Sequence, residues 1–148
     1  MDRRRQIRMS EAELAAFLDA QRTLVCATLG RRGRPHLAAL WYVPVAGRLD
    51  CWTYAASQKV RNLERDPRCT LQVEAGRDRY DQLRGVMVRA EAAIHRDLET
   101  VTGVGLELAR RYSGGADVPE QPLRRQAAKR VALEFRERRR ASWDHRKL

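Results

Sequence analysis

The stretch T-Y-A-A-S-Q-K-V-R-N-L-E-R-D-P-R, Thr53 to Arg68, decides how the chain is read. It follows an apolar run ending at Cys51-Trp52, which has the character of a strand, and it closes on Asp66-Pro67, which stops a helix. Between the two, the residues predict a short helix. Ser57 is placed to cap its start, Val60 and Leu63 form one apolar face, and Lys59 and Arg61 stand in its first turn. Positive charge there is unfavourable, because a helix N-terminus already presents unpaired N–H groups and the positive end of the dipole. An anion resolves the conflict. A hydroxyl, an ammonium and exposed N–H groups directly after a strand make a cradle for phosphate. A solvated connecting helix with an ordinary serine cap satisfies the same residues, so both readings stand on this stretch alone.

On the N-terminal side lie three strand-like runs. Thr23 to Leu29 (T-L-V-C-A-T-L) is apolar on both faces, as in a strand buried on both sides, and Gly30-Arg31-Arg32-Gly33-Arg34-Pro35 turns it into His36 to Val43 (H-L-A-A-L-W-Y-V). Ala46-Gly47 then turns into Leu49 to Tyr54, which completes an antiparallel meander. Small Ala38 and Ala39 beside bulky Leu40 and Trp41 fit close packing, the plainer reading by itself, or room for a planar ligand. Farther upstream, Ser10 and Glu13 form a capping box for a helix with Leu14, Phe17 and Leu18 on one face, and residues 1–9 read as a flexible basic N-terminus.

On the C-terminal side, Cys69, Leu71 and Val73 alternate with Arg68, Thr70, Gln72 and Glu74, predicting a strand with one wet face. After a polar excursion from Ala75 to Gly85, Val86, Val88, Ala90, Ala92 and Ile94 mark another two-periodic strand. Asp97 caps a helix through Tyr112, which Ser113-Gly114-Gly115 ends. Ala116 to Pro122 reads as a loop, Leu123 to Ala128 as a helical turn, and Val131, Leu133 and Phe135 as a last strand before the tail S-W-D-H-R-K-L. Six antiparallel strands with three or more helices describe a mainly β (α+β) small barrel. Strands apolar on both faces then need helices or a second subunit over the outer side.

Composition narrows the function. The 148 residues suit one domain, residues 10–148. No run approaches the roughly 18 apolar residues of a membrane span, and the basic start lacks a signal-peptide core, so a cytoplasmic protein with no membrane partner is expected. Cys26, Cys51 and Cys69 have no C-x-x-C spacing and read as buried reduced thiols, with no metal. The net charge of +11 points to an anionic partner without choosing it. Only Lys59, Lys129 and Lys147 are lysines and the other cations are arginines, with no zinc-finger, helix-turn-helix or RNP signature; nucleic acid is therefore not the expected partner. No Ser/His/Asp set, paired carboxylates, Walker or G-x-G-x-x-G pattern is legible, so no catalytic residue is assigned.

Taken together, G-R-P-H-L-A-A-L-W-Y-V, S-Q-K-V-R-N-L-E-R-D-P-R and S-W-D-H-R-K-L resemble the split β-barrel superfamily of pyridoxamine-phosphate-oxidase-like flavin and deazaflavin proteins. They look most like its actinobacterial branch that binds coenzyme F420. The resemblance runs from Ser10 to Leu148 and implies an FMN-binding-like split barrel, homodimeric, with cofactor sites at the subunit interface. It implies that Ser57, Lys59 and Asn62 meet the cofactor phosphate, and that Pro35, His36, Leu37, Ala38, Ala39 and Trp41 line the ring with Thr53 and Tyr54 flanking it. Tyr80, Trp143, His145, Arg146 and Lys147 would reach in from the partner subunit; capping or bracing the helix is an equal reading for Asn62, and a dimer-packing anchor is the other reading for Trp143.

The implied activity is that of an F420-dependent oxidoreductase, transferring hydride to a small conjugated substrate, with the coenzyme supplying the chemistry. Coenzyme F420 also carries an acidic oligoglutamate tail, for which Arg31, Arg32, Arg34, Arg77 and Arg79 are candidate partners. The alternatives are an FMN-binding or haem-degrading protein of the same fold, a non-catalytic F420 carrier, and a basic nucleic-acid-binding barrel.

Overall fold

The computed structural model describes residues 2–148. Among them are five helices and seven strands, in the order α1 (Arg3–Gln6), α2 (Glu11–Ala20), β1 (Thr23–Leu29), β2 (Pro35–Trp41), β3 (Val43–Val45), β4 (Arg48–Tyr54), α3 (Gln58–Arg65), β5 (Arg68–Ala75), β6 (Arg84–His95), α4 (Leu98–Tyr112), α5 (Glu120–Ala127) and β7 (Arg130–Asp144). The strands form one antiparallel sheet ordered β2-β1-β5-β6-β7-β4-β3. Its two ends are β2 and β3, which are consecutive in the chain and separated by Tyr42 alone. The sheet therefore curls back on itself, so the six expected strands become seven with the curled geometry kept.

The seventh strand comes from a break that hydropathy does not mark. The apolar run from His36 to Val43 is cut at Tyr42, whose fully buried ring sends its hydroxyl to the Leu18 carbonyl at 2.5 Å. Arg111 stacks over the same ring at 5.4 Å. Burial pushes the Tyr42 phenol well above its usual pKa, so it stays a neutral donor.

Inside the curl, opposed residues share a face, and Leu24, Cys26, Leu71, Val73, Val86, Val88, Leu133 and Phe135 pack together as the core. Each such side chain stabilises the fold by roughly 1.5–3 kcal/mol on burial. The three cysteines are free and buried, as expected. The outer face is different. Thr23 and Val25 of β1 are exposed, as are Pro35, Leu37, Ala39 and Trp41 of β2, so within one chain neither strand is covered on both sides.

Three further elements depart from the sequence reading. Residues 3–6 of the basic start form α1, capped by Asp2, and Met9 is buried at 6% exposure; Met1, the first residue of that start, lies outside the described residues. Helix α5 begins at Glu120, inside the expected loop, because Pro122 falls in the first turn, where its missing N–H has no helical partner to lose. Strand β7 runs on to Asp144. Its charged second half pairs with Arg84–Ala90 of β6, with one register shift between Arg89 and Ala90 that passes over Arg138, and that ladder, not alternation, sustains it.

Candidate functional site

The opening of the barrel lies where β2 and β4 face each other. Strand β2 is hydrogen-bonded only to β1, and β4 only to β7 and, through Arg48–Asp50, to β3. The two strands lie within 8 Å of each other, Cα to Cα, without pairing. Each leaves a row of backbone N–H and C=O groups along the slot between them. Unpaired strand edges are hydrogen-bonding templates.

The register decides what faces inward. His36 is opposite Thr28 and Ala38 is opposite Cys26, so both share the inner face with two buried residues of β1. Pro35, Leu37, Ala39 and Trp41 point to the other side, where Leu37 is 66% and Trp41 58% exposed and Trp41 stacks on Tyr112 with centroids 4.0 Å apart. On β4, Thr53 is buried and Tyr54 is exposed.

The turn after β4 delivers α3 across the end of the slot. Val60 and Leu63 are buried and anchor the helix, and Asn62, wholly buried, donates to Thr28 Oγ1 at 3.1 Å while accepting from Gln58 Nε2 and Arg65. Asn62 is thus a brace between α3 and β1. Ser57 takes the N-cap position with extended backbone, but its hydroxyl makes no cap bond. Among the described residues the Oγ atom is buried with no partner, and so is His36 Nδ1. An unmade hydrogen bond at a buried donor is costly, and such groups accumulate where a ligand completes them.

Lys59 reaches back inside. Its ammonium donates to Thr53 Oγ1 at 2.9 Å, and no carboxylate pairs with it among the described residues. Burial lowers its pKa, while the Cys26 and Cys51 thiols act in the opposite direction. A recess of about 640 Å³ is lined by Arg31, Gln58, Arg61, Glu64 and Arg65. The sequence reading already places Arg61 in the first turn of this helix, whereas Gln58, Arg65 and Thr28 are additions from the structure; the i, i+4 spacing of Arg61 and Arg65 is the available signal for Arg65, and Thr28 gives none.

The second group of expected residues lies elsewhere. Tyr54 pairs with Arg130 at the start of β7, whereas Trp143 pairs with Gly85 near its end. The two ends are roughly 40 Å apart along the strand at ~3.3 Å per residue. One chain therefore does not bring Tyr80, Trp143, His145, Arg146 and Lys147 to the Ser57–Lys59 turn. Tyr80 is 74% exposed and meets the His145 ring edge-on at 4.9 Å, and His145 Nδ1 is buried without a partner among the described residues. Arg146 forks onto Asp144 at 2.6 and 2.9 Å, and Lys147 donates to Glu13 at 2.6 Å and to the Arg8 carbonyl. Of the arginines considered for an acidic tail, Arg77 and Arg79 pair with Glu74 and Asp81; Arg31, Arg32 and Arg34 have no carboxylate partner among the described residues.

Residues 10–144 match the family model for pyridoxamine 5'-phosphate oxidase, and the chain belongs to that family. A conserved hypothetical protein of Mycobacterium tuberculosis is 43% identical over 96% of this chain and 89% of its own, with a TM-score of 0.89. A structure described as an F420 reductase is 24% identical, covers 85% of this chain and 94% of its own, and has a TM-score of 0.68. The heme storage protein HutZ of Vibrio cholerae shares the fold at 18% identity and a TM-score of 0.71, over 90% of this chain and 93% of its own. No curated protein matches the chain significantly. No helix of the described residues is long and apolar enough to cross a membrane.

Proposed function

We propose that this protein binds coenzyme F420 in the slot between β2 and β4 and acts as a deazaflavin-dependent oxidoreductase on a small conjugated substrate. The observation that carries the reading is the set of uncommitted polar groups at the start of α3. Among the described residues the Ser57 hydroxyl has no partner, Lys59 has no counter-ion, and the first-turn N–H groups have no side-chain cap. A phosphoryl group supplies an acceptor to all three at once. The residues present fit such a group.

Pro35 to Ala39, on the unpaired edge of β2, would line a planar ring held from that turn, with Thr53 at its flank. Bound F420 supplies hydride chemistry at its ring carbon. The chain's own task is to hold that ring in place, exclude water and fix the substrate beside it. The exposed face of β1 and β2, with Leu37 and Trp41, supports a homodimer, in which a second copy brings Tyr80, Trp143 and His145 to the pocket. Because Arg146 and Lys147 are already ion-paired, they serve to fix that tail. Arg31, which lines the α3 recess, and Arg32 and Arg34 of the same β1–β2 turn, all without carboxylate partners among the described residues, favour F420 with its acidic tail over FMN.

Fluorescence titration of the purified protein with oxidised F420 and with FMN tests this. Tighter binding of F420 is expected; preference for FMN assigns the slot to the flavin, and binding of neither removes the proposal. A carrier without turnover is distinguished by single-turnover reduction of a conjugated acceptor with reduced F420.

A further inference from the structure

The turn Tyr54-Ala55-Ala56-Ser57 has a second cationic pole on its other side. Its backbone is tied to the head of β7 by the Ala55 N–H bond to the Lys129 carbonyl at 3.0 Å. The next residue, Arg130, lies with its guanidinium 4.3 Å over the Tyr54 ring and 4.5 Å over the Trp52 ring. Trp52 is itself firmly seated, because its ring packs so closely on Gly105 that a Cβ there finds no room. Arg130 spends one N–H on the Gln126 carbonyl at 3.2 Å. No carboxylate pairs with it among the described residues, although the same surface pairs Arg124 with both Glu99 and Glu120.

A guanidinium held flat by two rings has little freedom left to lose, and its remaining N–H groups form a planar fork that matches a carboxylate. Tyr54, 57% exposed, adds an aromatic surface suited to a flat ligand. We propose that Arg130 is the receptor for the carboxylate of a planar conjugated acid, making conjugated carboxylates the substrate class of the slot. This rests on the reading of the slot as the coenzyme site. Lys59 serves phosphate on the inner side of the turn, and Arg130 serves the substrate anion on the outer side. The same fork would also suit a carboxylate of the coenzyme's acidic tail, and the test separates the two sources.

Calorimetric titration with cinnamate and with neutral cinnamamide reads the proposal, on the protein alone and on the protein saturated with oxidised F420. Cinnamate is expected to bind the loaded protein about 10-fold or more tightly than the amide, as a charge-assisted contact provides. Arg130→Gln should erase that preference and leave the dissociation constant of F420 unchanged. Arg130→Lys, which keeps the charge but not the fork, should retain part of it and carries the test if the glutamine variant loses its near-ultraviolet circular dichroism. Equal affinity for acid and amide, binding of neither, or a preference that survives Arg130→Gln overturns the proposal. Weaker F420 binding by Arg130→Gln with cinnamate binding intact overturns it too, by assigning Arg130 to the acidic tail. Failure of F420 to bind the unmodified protein strikes the coenzyme reading instead, and the titration of the protein alone then still decides whether Arg130 takes a carboxylate.

Discussion

The two ends of β7 are both rich in positive charge, yet they differ in what that charge is doing. At the far end, Lys147 meets Glu13 and Arg146 meets Asp144, whose carboxyl is held below its usual range chiefly by the Arg146 hydrogen bond. At the near end, among the described residues, Lys59 has only a hydroxyl for company, Ser57 Oγ has nothing, and Arg31 has no carboxylate partner. A net charge of +11 does not by itself locate a binding site. Charge left without a partner beside orphaned donors does, because each such group is destabilised until a ligand arrives.

The first way to break the comparison is to remove the brace that holds the near end in shape. Asn62→Ala deletes a wholly buried amide, leaves Thr28 without its donor and frees the first turn of α3. A loss of about 3 kcal/mol in unfolding free energy is expected by denaturant titration. A loss below about 1 kcal/mol would show that α3 is held by Val60 and Leu63 alone.

Proton linkage gives the next effect. Burial lowers the Lys59 pKa in the coenzyme-free protein, and a bound anion favours the ammonium and raises it again. Above the free-protein value, binding must therefore take up a proton. Affinity should be flat at lower pH and fall about tenfold per pH unit once the pH passes that lowered value, beginning below the ordinary lysine value near ~10.4. Titrations at a series of pH values check this, and Lys59→Ala should remove the slope.

The smallest effect is also the most discriminating in sign. Ser57→Ala removes a buried hydroxyl that makes no bond in the free protein. It should leave the protein as stable as before, or more stable by up to about 1 kcal/mol, while weakening F420 by about 1 kcal/mol. An ordinary N-cap predicts the reverse, a loss of stability of about 1 kcal/mol with unchanged affinity. Thermal unfolding with and without ligand distinguishes them.

How much of this was legible in the sequence depended on whether local chemistry or distant packing fixes each feature. The capping box of α2 and the Asp97 cap of α4 form as written, because both are satisfied within four residues. The alternation of Cys69, Leu71 and Val73 against polar neighbours identified β5 for the same reason, since period two needs only one covered face. The break at Tyr42 was hidden because Leu18 and Arg111 impose it from elsewhere in the chain. The second half of β7 was hidden because Arg136 to Arg140 has no apolar face and takes its geometry from β6. Within the site, Ser57 and Lys59 were found from helix-start chemistry. Their lack of partners was not visible, because a sequence shows which groups exist but not which remain unpaired after folding. The expectation that Pro35 to Ala39 act together becomes an inner pair, His36 and Ala38, and an outer face, which the register with β1 alone assigns.

The most direct measurement is the dissociation constant of F420 for two lysine variants made side by side, Lys59→Ala at the uncommitted end and Lys147→Ala at the saturated one. Lys59→Ala removes one charge-assisted phosphate contact and should weaken binding by about 1.5–3 kcal/mol, roughly 10- to 150-fold. Lys147→Ala should leave the constant within about twofold. Equal losses, or a loss confined to Lys147→Ala, would contradict the assignment of the phosphate to the start of α3.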